Sequence, residues 1–267
     1  MTMFVTSADG TRIAFDQHGR INAAPLVIVS GMFCDRETTR DLAEQLSSDF
    51  NVINYDRRGR GESGHTPPYQ VKREIEDLAA LIAQAGGQAA IYGHSSGAGL
   101  ALEAAAHGLS ISRLVLHEPP YGPDDAESRE AARDLAEAVR EAVDEGRGAD
   151  AVRLFFEASG MPQEMAAEFA SDPKRIGLAA TMTNDFAVMG DFSRGGVVPA
   201  DLVRRIGIPT LVLAGGDSPD FFRDSAMRVV ELLSSGELAV LDGADHGAPA
   251  SVVAPVVAAF LRDDVQR

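Results

Sequence analysis

The 267-residue chain has no tryptophan and a single cysteine, Cys34. One thiol cannot close an internal disulfide, and so little cysteine fits a reducing cytoplasm. Basic residues are also short: 24 Lys and Arg stand against 40 Asp and Glu, a formal net charge of −16. That balance argues against nucleic acid or an anionic membrane as a partner held by bulk electrostatics, and it implies a self-repelling surface. No stretch reaches the roughly 18 apolar residues of a membrane span. The opening residues, MTMFVTSADGTRIAF, lack the basic start and apolar run of a secretory signal. Zinc-type Cys/His spacing, a Walker loop and a dinucleotide glycine fingerprint are missing as well, so no metal and no cofactor is expected. The reading at this level is a soluble, acidic, cytoplasmic protein whose partner is a small molecule; no feature sets an oligomeric state.

What the chain does have is core material. Hydrophobic residues make up 45% and charged residues 24%, as in a globular protein. Residues 3–7 and 11–18 alternate around Ala8-Asp9-Gly10 and read as a hairpin. PLVIVSG (25–31), FNVINYD (50–56), AAIYG (89–93) and ISRLVLHE (111–118) are continuous apolar runs, as expected of strands buried on both faces. Helical patterns fall between them at 36–47, 71–85 and 96–107. This rhythm predicts βαβ units and a mostly parallel central sheet flanked by helices. It breaks at Pro119-Pro120. From 121 to 200 the sequence is helical and acidic with no buried strand, and IPTLVLAGG (208–216) then resumes the sheet. A helix at 219–234, a strand at 237–243 and a helix at 249–262 complete it. The organisation expected is one α/β core, 1–120 with 201–267, carrying a helical cap insertion at 121–200.

In AAIYGHSSGAGLAL (89–102), Ser95 stands between Gly93 and Gly97 where strand gives way to helix. Small residues two positions either side permit a sharp turn that lifts the hydroxyl clear of the backbone. The following N–H, that of Ser96, then lies at a helix N-terminus where it can bind a developing oxyanion. This is the physical content of the G-x-S-x-G elbow, here in its strand–turn–helix context; the competing reading is a serine that only caps the helix. A serine nucleophile needs a base. His246, in LDGADHGAP just past the last strand, is at the same carboxyl edge, whereas a histidine in a polar loop could also be mere surface.

On GHSSG (93–97), on YDRRGRGESG (55–64), similar to a D-x-R-G-x-G-x-S segment, and on the order core, helical insertion, core, the chain resembles the α/β-hydrolase family over almost its whole length. The resemblance implies Ser95 as nucleophile and His246 as base. The second oxyanion donor would be the Met32 N–H, because the loop that often reads His-Gly in the family reads Ser30-Gly31-Met32 here. Asp56 and the arginines of RRGRGES are expected to be structural. The acid is open between two residues. Family spacing from Gly215 falls on Ser218, with Asp217 one residue early; Glu118 ends the preceding strand, where some members, haloalkane dehalogenases among them, carry their acid. Glu118 is preferred, with Asp217 the alternative. Met32, Phe33, His94, Phe155, Met182 and Phe186 are candidate substrate contacts, although the helical spacing of those in the insertion, Phe155, Met182 and Phe186, also suits core packing. The function implied is a cofactor-independent serine hydrolase, of carboxylesterase, lactonase or thioesterase type, acting on a small hydrophobic substrate. A non-hydrolytic enzyme on this fold (lyase, cyclase or perhydrolase-like) and a ligand-binding module are the alternatives, since fold does not fix reaction.

Overall fold

A computed structural model describes residues 2–262; Met1 and residues 263–267, the two ends of the expected core segments, lie outside the described residues. The opening hairpin forms as β1 (Met3–Thr6) and β2 (Arg12–His18). There follow β3 (Ala24–Val29), α1 (Arg40–Leu46), β4 (Phe50–Tyr55), α2 (Val71–Gln84), β5 (Ala89–His94), α3 (Ser96–Ala106) and β6 (Ile111–His117). The helical stretch then runs through α4 (Ala126–Asp144), α5 (Gly148–Ala158), α6 (Gln163–Ala170), α7 (Pro173–Leu178), α8 (Met182–Met189), α9 (Asp191–Arg194) and α10 (Ala200–Val203). The chain re-enters the sheet as β7 (Thr210–Gly215), α11 (Asp220–Leu232), β8 (Gly236–Leu241) and α12 (Ala250–Arg262).

One helix starts later than its pattern suggests. The apolar spacing predicts a helix from 36, but α1 begins at Arg40. Before it, the Thr38 N–H reaches back to the Asp35 carbonyl and the Arg40 N–H to the Glu37 carbonyl, so the stretch forms three-residue turns, with the Arg36 N–H held by Asp56.

Among the described residues the sheet has eight strands in the order β1-β2-β4-β3-β5-β6-β7-β8. From β4 to β8 every pairing is parallel; the antiparallel pairs are those of the hairpin and its join to β4. Both faces are buried, and strand periodicity divides the core between them. Val27, Val29, Ile91, Leu114, Leu116 and Val212 pack under α2, α3 and α11. Leu26, Ile28, Ala90, Tyr92, Val115 and Leu213 pack under α1 and α12. Because α1 and α3 lie on opposite faces, the chain leaves β3 and β5 in opposite directions, although these strands are neighbours. That divergence marks a topological switch point, and in doubly wound sheets ligands bind outside the carboxyl ends of the strands at such a point. The insertion has an apolar cluster of its own, built on Val139, Val152, Met182 and Phe186, and Met32 and Phe33 pack against it from the loop after β3.

Candidate active site

Three non-glycine residues, among those described, have φ in the left-handed region: Phe33 (59°), Ser95 (55°) and Glu118 (48°). They follow β3, β5 and β6, three neighbouring strands, at their carboxyl ends. Such conformations are costly for residues with a Cβ and persist where the surroundings over-determine them, as functional sites do. Ser95 combines φ 55° with ψ −127° directly before α3, and its N–H donates to the His117 carbonyl at 2.9 Å. The flanking glycines are sterically required. A Cβ on Gly97 would lie 2.3 Å from the Val29 carbonyl oxygen, and one on Gly93 would lie 2.4 Å from that of Gly97. Strand and helix therefore approach more closely than any side chain allows, which turns the serine outward.

His246 lies in the loop after β8. Its Nδ1 is 2.6 Å from Glu118 Oε2, and the other oxygen, Oε1, accepts the Gly215 N–H at 2.7 Å. The Ser218 hydroxyl is beside the same carboxylate. Glu118 is fully buried, 0% exposed, whereas the His246 side chain is 35% exposed. Burial pushes the Glu118 carboxyl up, but the hydrogen bonds from His246 and Gly215, with the Ser218 hydroxyl close by, outweigh it and hold the group below its ordinary value. An ionised Glu118 is acceptor-only, so the bond assigns a proton to His246 Nδ1, and in the neutral imidazole the lone pair is then on Nε2. Two rings clamp this imidazole: Phe222 stacks on it at 4.3 Å between centroids and His94 lies 4.6 Å away. The Ser95 hydroxyl makes no hydrogen bond among the described residues.

Beneath the loop after β3 lies a buried charge cluster. Arg57 holds Glu74 through two bonds of 2.7 and 2.8 Å and Asp185, on α8, at 2.7 Å. Arg60 holds the other oxygen of Asp185 at 2.6 Å and donates to the Gly31 carbonyl at 2.5 Å. The Ser96 hydroxyl donates to Asp185 at 2.7 Å.

A family model described as the alpha/beta hydrolase family matches residues 26–259. The chain belongs to the alpha/beta hydrolase family. It is 41% identical to an alpha/beta hydrolase of known structure from Sphaerobacter thermophilus, covering 97% of this chain and 100% of that one with a TM-score of 0.87. A thermophilic esterase from Thermogutta terrifontis matches at 25% identity and a TM-score of 0.72, over 98% of both chains. An N-formylmaleamate deformylase from Pseudomonas putida is 36% identical over 122 residues, 44% of this chain and 45% of that enzyme. The chain thus spans under half the length of that relative.

In this α/β hydrolase the candidate residues divide. Ser95, Ser96, Met32, His246 and Glu118 come from the loops at the carboxyl ends of β5, β3, β8 and β6. Asp217 does not join them: it is exposed, its N–H bonds the Ala244 carbonyl, and its carboxylate has no hydrogen-bond partner among the described residues. His94, a candidate substrate contact, is instead engaged by the protein. Its Nε2 donates to the His246 carbonyl at 3.0 Å, and its ring also packs on His117 at 4.9 Å. Met182 is a second correction. It is 0% exposed inside the insertion core and offers no surface to a ligand, and Phe186 is nearly as buried. Phe33 and Phe155 stay half-buried and meet edge to face at 5.8 Å. The arginines of RRGRGES are structural, as the sequence suggests, and Asp56 ties its own loop by accepting the Arg36 and Glu62 N–H groups. Phe222 and Asp185 were not singled out by the sequence. The one available signal for Asp185 is a lone acid amid the apolar residues of MTNDFAVM. Among the described residues no helix is long and apolar enough to cross a membrane.

Proposed function

We propose that this α/β hydrolase is a serine hydrolase, with Ser95 the nucleophile, His246 the base and Glu118 the acid. The observation that carries the reading is the 2.6 Å contact between His246 Nδ1 and the buried Glu118 carboxylate. It supports a tautomer with the proton on Nδ1, whose neutral form can take a proton at Nε2, at the same carboxyl edge of the sheet as a serine hydroxyl with no competing bond. Ser95 Oγ attacks the substrate carbonyl while His246 Nε2 removes its proton, and Glu118 stabilises the imidazolium that forms. The N–H groups of Met32 and Ser96 hold the oxyanion. The imidazolium protonates the leaving group, and an acyl-enzyme remains on Ser95. A water, deprotonated by His246, then releases the acid and restores the serine.

The helical insertion acts as a cap over this site, with Met32, Phe33 and Phe155 on the substrate side. Those residues favour a small, largely apolar ester, lactone or thioester. Arg57 and Arg60 are already engaged by Glu74 and Asp185, so they offer no free cation to a substrate carboxylate. The partial match to N-formylmaleamate deformylase supports a second reading, hydrolysis of an N-formyl amide by the same residues. A fluorophosphonate probe tests the shared chemistry. Intact mass is expected to gain one adduct on the wild type, none on Ser95→Ala, and the adduct slowly on His246→Ala. Turnover of an ester, thioester, lactone and N-formyl amide panel then ranks the substrate classes. A folded wild type that takes no adduct and turns over none of the panel would overturn the proposal.

A further inference from the structure

We propose that Asp185, carried by the insertion helix α8, positions both oxyanion donors of the Ser95 site. The inference rests on the assignment of the Met32 and Ser96 N–H groups as those donors. Its substance is that each donor is tied to one oxygen of a single carboxylate.

The Met32 N–H belongs to the peptide unit whose carbonyl is that of Gly31. In a planar trans peptide the C=O and N–H point in opposite directions, so fixing one aims the other. Arg60 Nη1 donates to the Gly31 carbonyl at 2.5 Å, and Arg60 Nη2 is held by Asp185 Oδ2 at 2.6 Å. The Met32 N–H must therefore point away from Arg60. The residue before it abuts the nucleophile: a Cβ on Gly31 would lie 2.9 Å from Ser95 Cβ and 3.5 Å from Ser95 Oγ. The second donor is held from the other oxygen. Ser96 Oγ donates to Asp185 Oδ1 at 2.7 Å, which fixes the first residue of α3 and with it the orientation of its N–H.

The remaining contacts make the anchor rigid. Asp185 is 0% exposed, and Arg57, Arg60, Glu74 and Ser96 are buried with it. Arg57 donates to Asp185 Oδ1 and, at 3.3 Å each, to the Ser30 carbonyl and Ser96 Oγ. Two guanidinium and two carboxylate groups balance in charge, and although the buried Arg60 Nε has no partner among the described residues, both oxygens of Asp185 and both of Glu74 are bonded, which narrows the arrangements open to the cluster. The two arginines hold the Asp185 carboxyl below its usual range against the push of burial, so it stays ionised. A fold-anchoring pair of the same kind exists nearby without this connection. Arg58 binds Asp77 bidentately and bonds the Arg73 carbonyl in α2, not a loop of the site.

The test uses the full chain, p-nitrophenyl butyrate as substrate and a fluorophosphonate to count active sites. Asp185→Asn is expected to lower kcat on the order of 10²-fold per labelled site, the scale of a misplaced reacting group. KM and the pH midpoint of kcat are expected to hold, because the His246–Glu118 pair is untouched. Ser96→Ala, which keeps every ion pair, is expected to cost about tenfold in kcat. The double variant is expected to lose less than the product of the two single losses. Asp77→Asn is expected to lower Tm with kcat unchanged. Asp185→Asn that loses only Tm, or only KM, would overturn the inference while leaving the site reading intact. Should Asp185→Asn fail to fold, an unchanged kcat in Ser96→Ala overturns it equally. A wild type that neither turns over the ester nor takes the probe overturns the site reading, and the inference with it.

Discussion

Replacing Glu118 by glutamine keeps the size of the side chain and removes one acceptor. The carboxylate serves two donors at once, His246 Nδ1 at 2.6 Å and the Gly215 N–H at 2.7 Å. A glutamine has a single carbonyl oxygen, so it can serve only one. With that oxygen turned to Gly215, the amide NH2 faces His246 and forces the proton onto Nε2, the tautomer that cannot accept from Ser95. With the oxygen turned to His246, two N–H donors meet at Gly215, and a buried donor left unpaired costs about 1–3 kcal/mol. In both cases the imidazolium loses its counter-charge, so kcat should fall by up to about 10⁴-fold, the loss seen for the equivalent change in a serine-protease triad. The assay is steady-state turnover of a p-nitrophenyl ester, with Asp217→Asn beside it and expected to keep its activity. A Glu118→Gln enzyme within about tenfold of wild type in kcat would refute the reasoning. Loss of activity in Asp217→Asn instead would move the acid to the loop after β7.

His117 is buried against Tyr92, and burial pushes its imidazole down to about 4. A histidine depressed on folding binds fewer protons than in the unfolded chain, so its stabilisation is whole above the unfolded value and lost as pH falls toward 4. Against an unfolded pKa of about 6.5, moving from pH 7 to pH 5 should cost roughly 2 kcal/mol of urea stability. His117→Phe should flatten that slope, and an unaltered slope would contradict the assignment. His94→Phe keeps the ring stack but removes the Nε2 bond to the His246 carbonyl, a loss of about 1 kcal/mol, or roughly fivefold in the fluorophosphonate labelling rate. Equal rates would show that the bond does not hold the His246 loop. Gly97→Ala drives a Cβ into the Val29 and Ser30 carbonyls and should cost about 3 kcal/mol or more. Gly177→Ala, in exposed helix α7 with nothing within 4 Å, should gain about 0.5–1 kcal/mol. Chemical denaturation of the two variants checks both signs.

The sheet, its helices and the elbow were legible because their signals are local. Apolar runs mark the buried strands, and Gly93, Ser95 and Gly97 carry their geometry in five consecutive residues. The acid was less legible because its place depends on how β6 and β7 lie side by side. Residues at and just after the end of β7 point at the carboxylate without supplying it: the Gly215 N–H binds Glu118, and Ser218, where the spacing expects an acid, sets its hydroxyl beside it. Helical spacing in the insertion separates an apolar face from a polar one, but it cannot distinguish packing between helices from contact with a ligand. Met182 and Phe186 therefore read as pocket candidates and fold as core. Asp185 bonds a serine 89 residues earlier in the chain, a relation no window of sequence contains.

The central claim is covalent catalysis by Ser95, and the most direct measurement is rapid-quench mass spectrometry of the wild type with p-nitrophenyl acetate. The account predicts one acetyl group on the peptide containing Ser95, formed in a burst of p-nitrophenol no larger than one per site and decaying at kcat. Ser95→Ala should show neither burst nor adduct. Turnover that proceeds with no acyl group on Ser95 at any time point would contradict the account and would point to direct attack by water.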